Sequence, residues 1–130
     1  MQSLCHEYNI NNEFTGFINQ TEIPIWYSKS DIGVIISDYD PSPKTGNEML
    51  NFGIALILSK QIGTANNIIS GNGIILKNNH DHLELRDSID YMLSNKKILS
   101  EMKERSKEIS GWYKLSRNSE VLKEICHGIK

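Results

Sequence analysis

The sequence predicts an α/β fold, a partial Rossmann-like parallel sheet with flanking helices and a helical C-terminus. Three observations carry this expectation. Between Glu13 and Leu76 short apolar runs alternate with helical patterns, the order in which β–α units build a parallel sheet. Two of these runs, Gly33-Val34-Ile35-Ile36 and Ala55-Leu56-Ile57-Leu58, are continuously apolar. A half-wet antiparallel strand would alternate, so both are expected to be covered on two faces. From Asp81 onward the apolar residues return at helical spacing instead.

Taken in order, the expected strands are Glu13–Phe17, Ile32–Ser37, Ala55–Leu58 and Gly73–Leu76. A helix is expected from near Thr21 to about Ser30, with Pro24 tolerated in its first turn and Trp26 and Tyr27 on its core face. A short helix should begin near Asn47 and stop at Gly53, because glycine adopts the positive φ that ends a helix. Asp81 and Glu84 have the spacing of a capping pair ahead of Leu85, Ile89, Met92 and Leu93. Ile98, Leu99, Met102 and Ile109 mark a further amphipathic stretch, with Glu101–Glu108 supplying its wet face. Val121, Leu122, Ile125 and Ile129 mark the last one, after a break around Gly111-Trp112.

The length of 130 residues suits one domain. A net charge of -2, with both signs mixed along the chain, provides no basic stripe for a phosphate backbone, so no nucleic-acid partner is expected. Cys5 and Cys126 lie near opposite ends without metal-ligand spacing or a dense disulfide framework, which suits a reduced, cytoplasmic protein. No stretch approaches the roughly 18 apolar residues of a membrane span. His80-Asp81-His82 lacks a third or fourth ligand nearby, and Asp81 already has a capping role, so no metal is expected.

The chemistry concentrates in Ser37-Asp38-Tyr39-Asp40-Pro41-Ser42-Pro43-Lys44-Thr45-Gly46-Asn47-Glu48, which joins a buried strand to a short helix. In open α/β sheets ligands sit at such junctions. A helix start offers unpaired N–H groups and partial positive charge, so Thr45, Gly46 and Asn47 are placed to face a phosphate or a sugar hydroxyl. Asp40 and Glu48 flank the loop, and carboxylates suit hydroxyl-rich ligands because each accepts several hydrogen bonds. The plainer alternative is that Asp40 opens a Pro-rich turn and Glu48 favours the helix start electrostatically.

This stretch resembles family four of the retaining glycosyltransferases, of the two-domain GT-B fold, whose motif pairs an acidic residue with a glutamate across seven intervening residues. Asp40 and Glu48 have that separation. Phe14-Thr15-Gly16, Ser30-Asp31-Ile32-Gly33-Val34 and Ser37 are similar, in order and spacing, to the family's F-x-G, (A/S)-D-(I/V) and P-S landmarks. Asn47-Glu48-Met49-Leu50-Asn51-Phe52-Gly53-Ile54-Ala55-Leu56-Ile57 resembles its N-E-A-M-x-x-G-x-P-V-I segment, and Ser59, Gly63 and Asn72-Gly73 follow in place. The similarity runs over about residues 8–129 and is more specific as an ordered set than any one motif.

The resemblance implies a nucleotide-diphosphate sugar as donor, no metal or organic cofactor, and transfer with retention to an unknown acceptor. It places Asp40, Lys44 and Thr45 at the donor sugar, and Glu48, Gly46, Asn47 and Gly16 at the nucleotide, with Glu48 on the ribose and the intervening amides facing the diphosphate. Phe14–Phe17 would line the nucleobase pocket. Asp40 stands where the family usually has glutamate, one methylene longer, and Pro43 replaces a glycine and removes one N–H. Lys44 lies where an apolar residue is usual, and either adds charge beside the diphosphate or is solvated. Trp112 falls where the family has a tryptophan that packs at the opening of its last helix. The family's basic pair, in a G-R-x-x-x-x-K-G segment, belongs upstream of this sequence. The chain is therefore expected to be an incomplete domain with no catalytic residue of its own, weakly active or inactive in isolation. A second polypeptide would supply the acceptor domain; the alternatives are a non-catalytic nucleotide-sugar-binding subunit or an inactive remnant.

Overall fold

The computed structural model describes residues 2–113 and Cys126. The element order is α1 (Gln2–Glu7), α2 (Ile23–Ser28), β1 (Ile32–Ile35), α3 (Lys44–Asn51), β2 (Ala55–Ser59), α4 (Ala65–Ile68), β3 (Gly73–Leu76), α5 (His82–Ser94) and α6 (Lys96–Trp112). The three strands form one parallel sheet in the order β1-β2-β3. The α/β class and the parallel sheet with flanking helices are therefore as the sequence predicts.

All five residues of β2 are fully buried. Because successive side chains in a strand point to opposite faces, Leu56 and Leu58 join Leu50, Ile62, Ala65, Ile68 and Ile109 on one side. Ala55 and Ile57 join Leu76 and Met92 on the other. The register aligns Gly33, Leu56 and Gly73 across the sheet. A Cβ at Gly73 would run into the Leu56 carbonyl, so that position must be glycine for the strands to pair, whereas one at Gly33 would meet the Met49 sulfur, the flexible end of a side chain.

Helix α3 ends as Gly53 allows. Gly53 has φ +66°, its N–H donates to Leu50 O at 3.0 Å, and the Ile54 N–H donates to Met49 O at 3.2 Å. These two bonds make a Schellman motif. Asp81 caps α5 by accepting from the Leu83 and Glu84 amides at 2.9 and 3.1 Å. Glu84 does not close the reciprocal half of a capping box; its carboxylate accepts from the Lys77 and Asn78 amides and so fastens the loop leaving β3.

Helix α6 crosses the amino ends of the strands. Leu99 and Met102 pack on one face of the sheet and Ile109 on the other. At the crossing, the buried Ser106 hydroxyl donates to Ile54 O at 2.7 Å and accepts from the buried Asn72 amide at 3.3 Å. Asn72 in turn accepts from the Ser70 N–H. Lys103 pairs with Asp31 just ahead of β1 at 2.6 Å, and Arg105 donates to Ser70 O at 2.9 Å.

Several expectations are corrected. Glu13–Phe17 is not a strand. Gly16 has φ +60°, which breaks an extended run, and Phe17 is 96% exposed; a strand exists only where a neighbour takes its backbone bonds. Gly33–Ile36 is not covered on two faces, since Val34 and Ile36 are each 41% exposed on an edge strand. The strand stops at Ile35 because the backbone of Ser37 is claimed by a side chain, as described below. Helix α3 starts at Lys44 rather than Asn47, because Pro43, at φ -66°, is already set for a helix entry. Helix α2 is shorter than Thr21–Ser30, whereas α6 ends at Trp112 with Tyr113 as its C-cap, where the sequence predicts a break. Helices α1 and α4 had no distinct periodic signal. The stretch Val121–Ile129 lies outside the described residues apart from Cys126. Among the described residues, no helix is long and apolar enough to cross a membrane.

Two stability measurements test this packing. Leu56→Ala should lower the unfolding free energy by about 2–5 kcal/mol. Ser106→Ala, which strands the Ile54 carbonyl and the Asn72 amide, should cost about 1–3 kcal/mol in urea unfolding, whereas Ser100→Ala on the exposed face of α6 should stay within about 0.5 kcal/mol.

Candidate functional site

With α6 closing the amino edge of the sheet, the polar loops gather at the carboxyl edge, where ligands bind in open α/β sheets. Ser59 ends β2 fully buried. Its hydroxyl accepts from the Ser37 N–H at 3.0 Å and donates to Ser37 O at 2.9 Å. One side chain thus satisfies both backbone groups of Ser37 and turns the chain out of the sheet into the loop. Asn79, from the loop after β3, adds its amide to Asp38 Oδ1 at 2.6 Å and to Ser37 O at 3.4 Å. His80 Nε2 lies 3.0 Å from the same Asp38 oxygen, both side chains being exposed. No sequence signal groups Asp38 with Asn79 and His80, because 41 residues separate Asp38 from Asn79.

Asp40 is half-buried and fixed. Its Oδ1 accepts from the Ser42 N–H at 3.0 Å, its carbonyl accepts from the Gly63 N–H at 2.9 Å, and it bridges in parallel to Ile62. The turn role expected of Asp40 is present, and its second carboxylate oxygen has no hydrogen-bond partner among the described residues. Pro43 is buried at the start of α3, while Lys44 and Thr45 are exposed. Gly46 faces Ile35 and Ile68, and its amide donates back to Pro43 O at 3.2 Å. Among the described residues no side chain caps this helix start, so the amides of Lys44 and Thr45 are left for an outside acceptor. Asn47 keeps a buried Oδ1 without a hydrogen-bond partner among the described residues.

Glu48, one turn into α3, is half-buried. Its Oε2 accepts from the Tyr27 hydroxyl at 3.2 Å. It lines a pocket of about 190 Å³ together with Gln20, Ile23, Pro24, Tyr27, Asn51 and Phe52. The Tyr27 and Phe52 rings meet at 5.5 Å with their planes tilted by 57°. Burial raises the Tyr27 pKa above its ordinary value, and the charge and hydrogen bond of Glu48 raise it further. At neutral pH the phenol is therefore a fixed donor to the carboxylate. The sequence pattern places Tyr27 only on the core face of its helix; the signal for a further role is a hydroxyl on an otherwise apolar face, which needs a partner when covered.

Neither Asp40 nor Gly16 lines the Glu48 pocket. Gly16 is exposed in the coil ahead of α2, and Phe14 lines a separate depression with Cys5, His6, Asn9, Ile10 and Asn12. His80 faces Asp38, Asp81 caps α5, and no group of three or more His, Cys, Asp or Glu suited to a metal ion occurs among the described residues.

Two solved structures are similar to the chain. The sucrose-phosphate synthase of Thermosynechococcus elongatus matches 99% of this chain at 20% identity with a TM-score of 0.76, and 34% of its own length is covered. HepE of Anabaena, determined in complex with UDP, matches 97% at 16% identity with a TM-score of 0.78, and 35% of its length is covered. The chain thus spans about a third of either structure, and at these identities the likeness establishes the fold, a part of the GT-B architecture. No curated protein sequence matches. The family model for glycosyl transferases group 1 matches residues 1–109, a span that takes in the whole sheet, the carboxyl-edge loops and nearly all of α6, and on that match the chain belongs to the glycosyl transferases group 1 family.

Proposed function

We propose that this chain binds a nucleotide-diphosphate sugar and forms the donor-binding part of a retaining glycosyltransferase. The observation that carries the reading is Glu48, a half-buried carboxylate held at the rim of a pocket by the Tyr27 hydroxyl, eight residues beyond Asp40 and next to an uncapped helix start. On this reading Glu48 accepts from the nucleotide ribose, and Asp40 uses its remaining oxygen on the donor sugar with Lys44 and Thr45. The amides of Lys44 and Thr45 face the diphosphate, where a helix start favours negative charge, and the Lys44 ammonium adds to it. Gly46 keeps α3 close to Ile35 and Ile68, and the family resemblance assigns Asn47 and Gly16 to the nucleotide.

The reading needs no metal ion. Positive charge opposite the leaving diphosphate is usually a large catalytic term, and Lys44 alone supplies little of it. The remaining basic groups and the acceptor site are assigned to polypeptide beyond these residues, either a further segment or a second chain. Retention at the anomeric carbon follows from the family resemblance, and the UDP carried by HepE is consistent with a nucleotide at this fold.

Calorimetric titration with UDP, GDP, ADP and their sugar conjugates tests the site. Glu48→Ala should weaken nucleotide binding about tenfold or more, the loss of a hydrogen bond to a charged group, while circular dichroism shows a folded chain. Unchanged affinity in the variant would remove the reading.

A further inference from the structure

We propose that Tyr27 is a positioning residue for the nucleotide ribose, acting through Glu48; the inference rests on the donor-site reading of Glu48 given above. The two residues come from different elements, 21 positions apart, and meet through the Tyr27 hydroxyl and Glu48 Oε2 at 3.2 Å. An isolated glutamate on a helix surface samples several rotamers and must surrender them when it takes a ligand. Here one oxygen is already held, and Oε1 has no partner among the described residues and is left for a hydroxyl donor. Such prior ordering raises affinity by lowering the entropy lost on binding.

The anchor is itself fixed. Tyr27 packs against the core cluster that contains Leu50 and Ile54, and its ring leans on Phe52. A tyrosine has only two rotatable side-chain bonds, so little freedom remains. The phenol stays protonated across the neutral range because burial, then Glu48, push its pKa up. Helix α2 buries no residue completely and Tyr27 is a residue by which it packs on the core cluster, which gives a purely structural role as the rival explanation.

Ligands that differ only in the ribose hydroxyls separate the two roles. Wild type, Tyr27→Phe, Glu48→Ala and the double variant are titrated calorimetrically with UDP, GDP and ADP and with the 2′,3′-dideoxy form of each. For the nucleotide that binds, wild type should prefer the ribose form, and Tyr27→Phe should weaken that form by about threefold to tenfold while leaving the dideoxy form unchanged. Glu48→Ala should erase the preference, and adding Tyr27→Phe to it should change nothing further. Equal weakening of both forms by Tyr27→Phe, or a preference left intact, overturns the positioning role while the Glu48 reading stands. A wild type that binds no nucleotide or shows no ribose preference, or a Glu48→Ala variant that keeps the preference, overturns the Glu48 reading and the positioning role with it.

Discussion

The complete burial of β2 is the constraint on which the rest of the structure depends. A strand with no exposed residue has to lie between two neighbours and under two layers of helix. Its backbone then finds partners only within the sheet, and its side chains find apolar contacts only if helices return over both faces. The parallel registers with β1 and β3 meet this demand through helical crossovers. The Gly33–Leu56–Gly73 row shows how tight the solution is, because the two glycines leave the space that Met49 and the β2 backbone occupy. The same edge geometry leaves Val34 and Ile36 less covered than their apolar character suggests.

The two ends of the sheet are treated oppositely. At the amino end, α6 lies across all three strands and answers their exposed groups one by one, with Lys103 at Asp31, Ser106 at Ile54 and Asn72, and Arg105 at Ser70. Of these, the buried Ser106 bonds matter most, since an unpaired buried carbonyl is more costly than a screened surface ion pair is favourable. At the carboxyl end, Ser59 satisfies both backbone groups of Ser37, Asp40 and Glu84 take loop amides, and the loops still present an exposed carboxylate and histidine in Asp38 and His80. With the amino end sealed by α6, the accessible polar groups of the loops gather at the carboxyl end.

The two acidic residues of the loop occupy different environments. Asp40 is held by a tight turn and a backbone bridge, so its position is set by main-chain geometry. Glu48 is set by a single side-chain hydroxyl from α2. Its pocket is largely apolar, bounded by Ile23, Pro24 and Phe52, and in such surroundings a hydrogen bond to a carboxylate is worth more than in open water.

The sequence by itself determined the fold class, the three strands that pair, the glycine end of α3 and the Asp81 cap, because periodicity, positive-φ glycine and capping chemistry are local signals. The ordered motif also determined the family, and it directed attention to Asp40 and Glu48. Tertiary structure alone decided that Glu13–Phe17 forms no strand, that β1 lies at the edge of the sheet formed by the described residues, and that α6 spans the amino ends of that sheet. It also decided the meetings of Tyr27 with Glu48, Ser37 with Ser59, and Asp38 with Asn79. Each of these joins residues more than twenty positions apart, and a hydrogen bond between distant segments leaves no periodic trace; it exists only once packing has brought the two segments together.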